Sequence, residues 1–323
     1  MAVNTSSSIS TGTALHRFIE NKAIEQFKLT SFLYGMGTHR MLKTGDHQYS
    51  MPVMNRTVFS AASAVLSEGV TPASTTVGFS QVTFDMVQYG VTATLTDLAV
   101  KDSPIELYTY AAKELGRQMA QIVDDIVQTE LLTLDNTTQT QVIYGAKRAT
   151  RALITATDYA SSKYFAEANA VLKSKGAPEI GAGYVAIAHP LVIQDLLTEV
   201  GSSTAGFFEA SKYSQPENIF NGELGKMFGI RFVQSSNVKS FLGGVGGTVN
   251  LYPTFIVGED AYGIVESQAL ETIIKPIGSA GASDPLNQRG TVSLKVRFGT
   301  KVLKPESNFR IETPVSLNPT LPY

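Results

Sequence analysis

Between residues 102 and 135, apolar side chains recur three or four apart, at Leu107, Ala111, Leu115, Met119, Ile122 and Ile126. That spacing holds them on one face of an α-helix. Ser103-Pro104-Ile105-Glu106 supplies a start: the serine can accept from free N–H groups, proline fits the first helical position, and Glu106 can reach back to the cap. No further proline interrupts the run before Asp135. About 30 residues give a rod of roughly 45 Å, longer than a compact domain needs for its own core.

The preceding stretch has a different rhythm. From 46 to 97, apolar and polar positions alternate through Tyr49, Met51 and Val53, then Val77 and Phe79, then Val82, Phe84 and Met86. Period two predicts strands. Between them residues 60–74 are small, with Gly69 and Pro72, so the pattern predicts an extended hairpin with a long loose loop. Two strands are marginal by themselves, and nothing adjacent in sequence offers a cover. A β arm beside a rod suggests a building block, not a pocket.

Residues 1–14 are polar and predict a flexible segment. Residues 15–35 predict a short amphipathic helix with Leu15, Phe18 and Ile19 on one side, broken at Gly35 and Gly37. Beyond the rod, 137–155 reads as irregular with a β piece at 142–144. Asp158 is placed to cap a helix carrying Phe165, Ala168, Val171 and Leu172, stopped by Gly176 and Pro178. Residues 184–188 read as a buried strand, which His189-Pro190 turns into a helix with Leu191, Ile193, Leu196 and Leu197. Strands are expected at 229–234 and 255–257, and a flexible loop at 243–247. This alternation predicts a small α/β domain over 180–275. Residues 269–277, 291–297 and 309–312 return to strands, expected beside the long helix. No internal repeat stands out.

Composition sharpens the picture. A chain of 323 residues can bury about three quarters of its unfolded surface, as one large domain or two. Charged residues make up only 17%, against roughly 25% in ordinary soluble domains. A surface rich in neutral polar groups suits contact with copies of itself; the bland alternative is a merely Thr-rich or secreted protein. The net charge of −2 exerts no global pull on nucleic acid. The charge is unevenly placed, however. Residues 102–135 hold seven acids against Lys113 and Arg117, and 286–310 hold six bases against Glu306. Such blocks can pair within one subunit or between neighbours.

Cysteine is absent, which excludes disulfides, thiolate metal sites and cysteine nucleophiles. No apolar run reaches the length of a membrane span. The first fifteen residues lack the basic-then-apolar pattern of a signal peptide, so synthesis in the cytoplasm is expected, and the glycosylation triplets at Asn4, Asn55 and Asn136 are chance matches. His16, His39, His47 and His189 have no metal-ligand spacing. His189 ends a buried strand, where a catalytic residue can sit; more often such a histidine makes a hydrogen bond that fixes the turn. The glycines at 181–183 and 243–247 run into β-prone sequence where a phosphate loop needs a helix. No Gly-x-Ser-x-Gly elbow is present, nor a basic run interleaved with aromatics. Asp124 and Asp125 point about 100° apart on a helix, read as a solvated or subunit-facing edge, and Glu259-Asp260 suits a turn. No catalytic residue, cofactor or metal is expected.

The order of parts is arm, extended hairpin, long helix, α/β domain and returning strands. Leu66-Ser67-Glu68-Gly69-Val70-Thr71-Pro72, Gln88-Tyr89-Gly90 with Thr96-Asp97, Leu115-Gly116-Arg117-Gln118 with Asp124, His189-Pro190, Gly229-Ile230-Arg231, and Asp284-Pro285-Leu286 with Lys295 and Gly299 keep that order. Together they resemble the major capsid family of enquatro-type phages, one branch of the tailed-phage major capsid proteins with the HK-97-like fold. The resemblance covers roughly residues 40–312.

It implies an α+β fold with an N-terminal arm at 1–44, an E-loop at 45–97, and a peripheral domain at 98–179 and 276–323. A spine helix would occupy 103–135 and an α/β axial domain 180–275. It implies a structural, non-enzymatic protein that self-assembles into pentamers and hexamers of an icosahedral phage head around double-stranded DNA, contacted non-specifically. The expected location is the virion capsid, assembled in the host bacterial cytoplasm and without a membrane. Separate scaffolding, portal and decoration proteins are the further partners implied; the chain begins with a short arm, so any scaffolding is expected to be a separate protein. The candidate subunit contacts are Met51, Val53, Val77, Phe79, Phe84 and Met86 on the E-loop, with Arg297 and Lys301 in the basic stretch. An encapsulin-like nanocompartment keeps this fold and changes the role. A soluble α/β enzyme centred on His189 and 243–247 is the rival of a different class, and a tail or fibre subunit is a third.

Overall fold

The computed structural model describes residues 11–42, 47–54, 65, 68–69, 78–103, 106–134, 141–199, 223–279 and 284–317. Helices α1 (Thr11–Thr30) and α2 (Leu33–Met36) lead into strand β1 (Thr38–Met41) and the pair β2 (Gln48–Met54) and β3 (Phe79–Asp85). Strand β4 (Val87–Thr96), a short α3 (Asp97–Asp102) and the long α4 (Leu107–Leu132) follow. Then come β5 (Gln141–Tyr144), α5 (Ser162–Ser174), β6 (Tyr184–Ala188) and α6 (Pro190–Leu197). The chain closes with β7 (Glu223–Met227), β8 (Ile230–Gln234), β9 (Phe241–Gly243), β10 (Val249–Val257), β11 (Tyr262–Lys275), β12 (Arg289–Val302) and β13 (Asn308–Thr313).

The long helix starts later than its sequence suggests. A residue before proline is pushed out of the helical region, and Ser103 is extended (φ −81°, ψ 130°) ahead of Pro104. Ser103 ends α3, with its backbone N–H bonded to the Ala99 carbonyl. Thr96 caps α3, its Oγ1 accepting from the Ala99 N–H at 3.4 Å. The remaining 26 residues of α4 make a rod of about 39 Å. Its buried stripe runs through Ala112, Leu115, Met119, Ala120, Val123, Val127 and Leu131. Ala111, Ile122 and Ile126 sit half-buried at its margin.

Two partners cover that stripe. Helix α1 lies along α4 with Ile19, Ala23 and Phe27 buried, while Phe18 faces outward. The approach is close enough that a Cβ on Gly116 would stand 2.5 Å from the Ala23 carbonyl oxygen, so only glycine fits there. Below lies a four-stranded sheet in the order β1-β11-β12-β4. Alternate residues Val292, Leu294, Val296 and Phe298 of β12 enter the same core, as period two requires.

Asp124 is no solvated edge. It is buried on α4 and accepts from Phe32 N–H at 3.2 Å, Tyr34 N–H at 3.3 Å and Asn237 Nδ2 at 2.9 Å. One carboxylate thus caps α2 and ties the α1–α2 corner to the spine. Burial pushes its pKa up, opposed by those hydrogen bonds. Asp125, one position on, is the surface member and pairs with Lys239 at 2.6 Å.

The second sheet runs β5-β13-β10-β6-β8-β7, with β9 added beside β10. Helices α5 and α6 pack on it through Phe165, Ala168, Leu172, Val192 and Leu196. Asp158 does not cap α5. It binds Arg148 at 2.9 and 3.2 Å and accepts the Thr155 N–H at 2.8 Å. Glu199 takes the capping role, accepting from Ser161 Oγ and the Ser162 N–H at 2.6 and 3.0 Å.

The sheets divide the chain differently from the span 180–275. Residues of β5 and β13 join the second sheet through parallel pairing with each other and antiparallel pairing of β13 with β10. Residues of β11 leave it for the first sheet, and β4 leaves the hairpin region to pair with β12. Long-range pairing made these choices, and local alternation carries no record of them.

Candidate assembly interface

Strands β2 and β3 pair antiparallel, with Tyr49 opposite Phe84, Met51 opposite Val82, and Met54 opposite Phe79. Side chains alternate across a strand, so the hairpin has two faces. Its inner face carries Tyr49, Met51, Val53, Val82 and Phe84. Phe84 is buried with Met86 against Val265 and Leu303 of its own chain, and its ring lies 6.5 Å from that of Tyr49. Toward the distal end the fit opens into a groove of about 440 Å³ lined by Met51, Val53 and Leu303, with Arg40, Asp260 and Lys304 among its polar walls.

The outer face is uncovered. Met54 and Phe79, paired at the distal end, are 64% and 63% exposed. Phe79 and Phe84 are an odd number of residues apart, so they point to opposite faces and have opposite fates. Phe84 and Met86 belong to the subunit's own core and present no free surface to a neighbour. Met51 and Val53 are half-buried on the inner face. Phe79 stands free, Met54 joins it unpredicted, and Val77 and most of 60–74 lie outside the described residues.

The basic stretch is largely matched within the chain. Lys301 Nζ donates to the Glu130 carboxylate of α4 at 3.1 and 3.2 Å. Lys295 pairs with Glu271 at 3.3 Å and Lys304 with Asp260 at 3.1 Å. Arg310 is buried: it donates to the Leu131 carbonyl at the end of α4 at 2.9 Å and pairs with Glu312 at 2.8 Å. Burial pushes the Arg310 pKa down, opposed by Glu312. Arg151 clamps the same Glu312 with two bonds of 2.6 Å. Arg297 donates to His47 Nδ1 at 3.2 Å, at the hairpin base.

His189 fixes a turn. Its Nδ1 accepts the Leu191 N–H at 3.2 Å, capping α6, and its ring lies 4.8 Å from that of Tyr252. Burial lowers its pKa, which keeps that nitrogen an acceptor. Among the described residues no group of three His, Cys, Asp or Glu side chains is placed to hold a metal. No described helix is long and apolar enough to cross a membrane.

The sequence profile described as phage capsid protein matches residues 80–311, from within β3 to within β13. The chain belongs to the phage capsid protein family. Curated protein sequences give no match. Among solved structures, the capsid protein is similar to the capsid of Ralstonia phage GP4, with 14% identity, TM-score 0.68, and coverage of 91% of this chain and 93% of that one. It is similar to the capsid of cyanophage Pam1, with 13% identity, TM-score 0.62 and coverage of 87% and 89%. A virus-like particle from Pyrococcus furiosus has the same fold at 10% identity and TM-score 0.53, covering 92% and 99%. At such identities the likeness establishes the HK-97-like α+β fold, and the family match makes this a structural major capsid protein, not an enzyme.

Proposed function

We propose that this capsid protein assembles into pentamers and hexamers of an icosahedral head enclosing double-stranded DNA. The β2–β3 hairpin is the E-loop, and α4 with the four-stranded sheet forms the peripheral domain. The seven strands around β10, with α5 and α6, form the axial domain. The hairpin's distal pair, Met54 and Phe79, docks on an adjacent copy. The observation that carries this reading is that pair: two large apolar side chains, opposite one another, left open at the last described rung of a hairpin whose base is anchored in its own subunit. DNA is held without strong phosphate contacts, since the bases of 286–310 are largely spent on partners in the chain. Assembly takes place in the host bacterial cytoplasm and ends in the virion capsid, with scaffolding, portal and decoration supplied by other proteins.

Deletion of residues 60–74 should leave a folded subunit that forms no shells in negative-stain electron microscopy. Normal particles from that deletion would overturn the hairpin's role. Mass spectrometry of purified wild-type particles separates packaged DNA from the protein cargo of a nanocompartment.

A further inference from the structure

Natural sheets protect their edges with short strands, charges, proline or bulges. Most sheet edges here use such a device. Strands β1 and β5 have four residues each. Strand β2 carries Pro52, β3 closes on Asp85, and β7 contains a register shift and has Glu223 and Lys226 in its sequence. Strand β4 is the exception. It is the terminal strand of its sheet, ten residues long, paired with β12 without a register shift, and it has no charge and no proline. Half of the backbone groups of an edge strand face away from its single partner.

The residue pattern of β4 is self-complementary. Tyr89, Val91, Ala93 and Leu95 are half-buried toward the spine side, while Gln88, Gly90, Thr92, Thr94 and Thr96 are exposed. Antiparallel pairing of two copies centred on Thr92 sets Tyr89 against Leu95 and Val91 against Ala93. On the other face it sets Gln88 against Thr96, Gly90 against Thr94, and Thr92 against itself. Apolar meets apolar, neutral polar meets neutral polar, and no like charges oppose. A foreign charged peptide would find no counter-charge on this strand.

We propose that β4 is a two-fold contact between copies of this chain, joining two four-stranded sheets edge to edge across an axis at Thr92. The inference rests on the capsid reading above and adds an interface separate from the hairpin. Such an isologous contact suits the junction of two rings, because it closes on itself. The heterologous hairpin contact builds each ring.

The chain has no cysteine, so a single introduced one is a clean reporter. Opposed residues of an antiparallel pair have Cα atoms about 4.5–5.5 Å apart, within disulfide reach. Thr92→Cys should give a covalent dimer on mild oxidation of the expressed protein, read on a non-reducing gel. Thr94→Cys should stay reduced, because the two copies would lie roughly 13 Å apart along the strand. Microscopy of the same samples reports particles independently. Intact Thr92→Cys particles whose introduced thiol stays reduced overturn the two-fold contact and leave the capsid reading standing. A disulfide-linked Thr92→Cys dimer without particles supports the contact and counts against the capsid reading. If Thr92→Cys misfolds, hydrogen exchange on wild-type protein decides: β4 amides exchanging as fast in particles as in dissociated subunits overturn the proposal.

Discussion

Two phenylalanines on one strand should fail in opposite ways. Phe84 is fully covered by its own subunit, so Phe84→Ala removes a packed ring and leaves a cavity, a loss of about 3–5 kcal/mol. Phe79 is 63% exposed, and Phe79→Ala should change subunit stability by less than about 0.5 kcal/mol. Its value lies in assembly. A phenylalanine side chain offers about 200 Å² to bury. The exposed part, about 130 Å², contributes up to about 3 kcal/mol per contact at 25 cal/mol per Å². That is roughly a hundredfold in each association step.

The assay separates the two effects. Urea denaturation of dissociated subunits, with hydrogen exchange at the hairpin amides, reads the internal loss. Exchange is needed because a hairpin can open locally without unfolding the body. Light scattering against protein concentration reads assembly. Phe84→Ala should lower the urea midpoint or strip protection from β2 and β3. Phe79→Ala should keep both and raise the concentration needed for particles. The reasoning fails if Phe79→Ala assembles at the wild-type concentration, or if Phe84→Ala leaves both stability readouts unchanged.

Asp124→Ala should destabilise the subunit by about 2 kcal/mol, because it strands the partly buried Phe32 and Tyr34 N–H groups and loosens Asn237; Asp124→Asn should cost less in the same urea titration. His39 Nδ1 meets Glu266 Oε1 at 3.2 Å, and that bond raises the His39 pKa against its burial. Burial alone would raise the Glu266 pKa, but hydrogen bonds from His39 and Tyr34 leave it lowered. His39 therefore adds stability that is full below about pH 6.5 and is lost as pH rises through its raised value. Glu266 adds stability that is present above about pH 4.3 and is lost as pH falls through its lowered value. A urea midpoint followed from about pH 2.5 to 9 should show both losses in the wild type, and His39→Gln should abolish the alkaline one. His189→Ala should cost about 1 kcal/mol as a lost helix cap, measured by thermal melting, with particle formation retained.

The architecture was readable where local physics decides it. The period of α4, the buried strand at 184–188 and the turn-fixing role of His189 all follow from side-chain spacing and the His-Pro step. Asp124 was legible in identity but not in role, since its three partners lie about 90 and 113 residues away. The hairpin misled for a simpler reason. Its alternation slips parity between Phe79 and Phe84, so one reading of the strand placed both rings on one face. Met54, which follows Val53 without a polar spacer, was the signal that the outer face also carries apolar weight. The fate of β4 and β13 had no local signal at all.

The low charge content and the placement of those charges make one argument. Glu130 with Lys301, Glu312 with Arg151, and Asp260 with Lys304 join elements distant in the chain. These pairs fix how α4, the two sheets and the corner loops sit within one subunit. The Met54–Phe79 pair and β4 are neutral by contrast. Charges that specify the fold are sheltered in part from salt, and contacts built from neutral strands and apolar rings have little for salt to screen. Neutral contacts also lack long-range attraction, so two copies bind only when shapes and strand registers meet. A shell made of many repeated weak contacts gains from that property: a misplaced copy is held by little and leaves before the lattice closes over it.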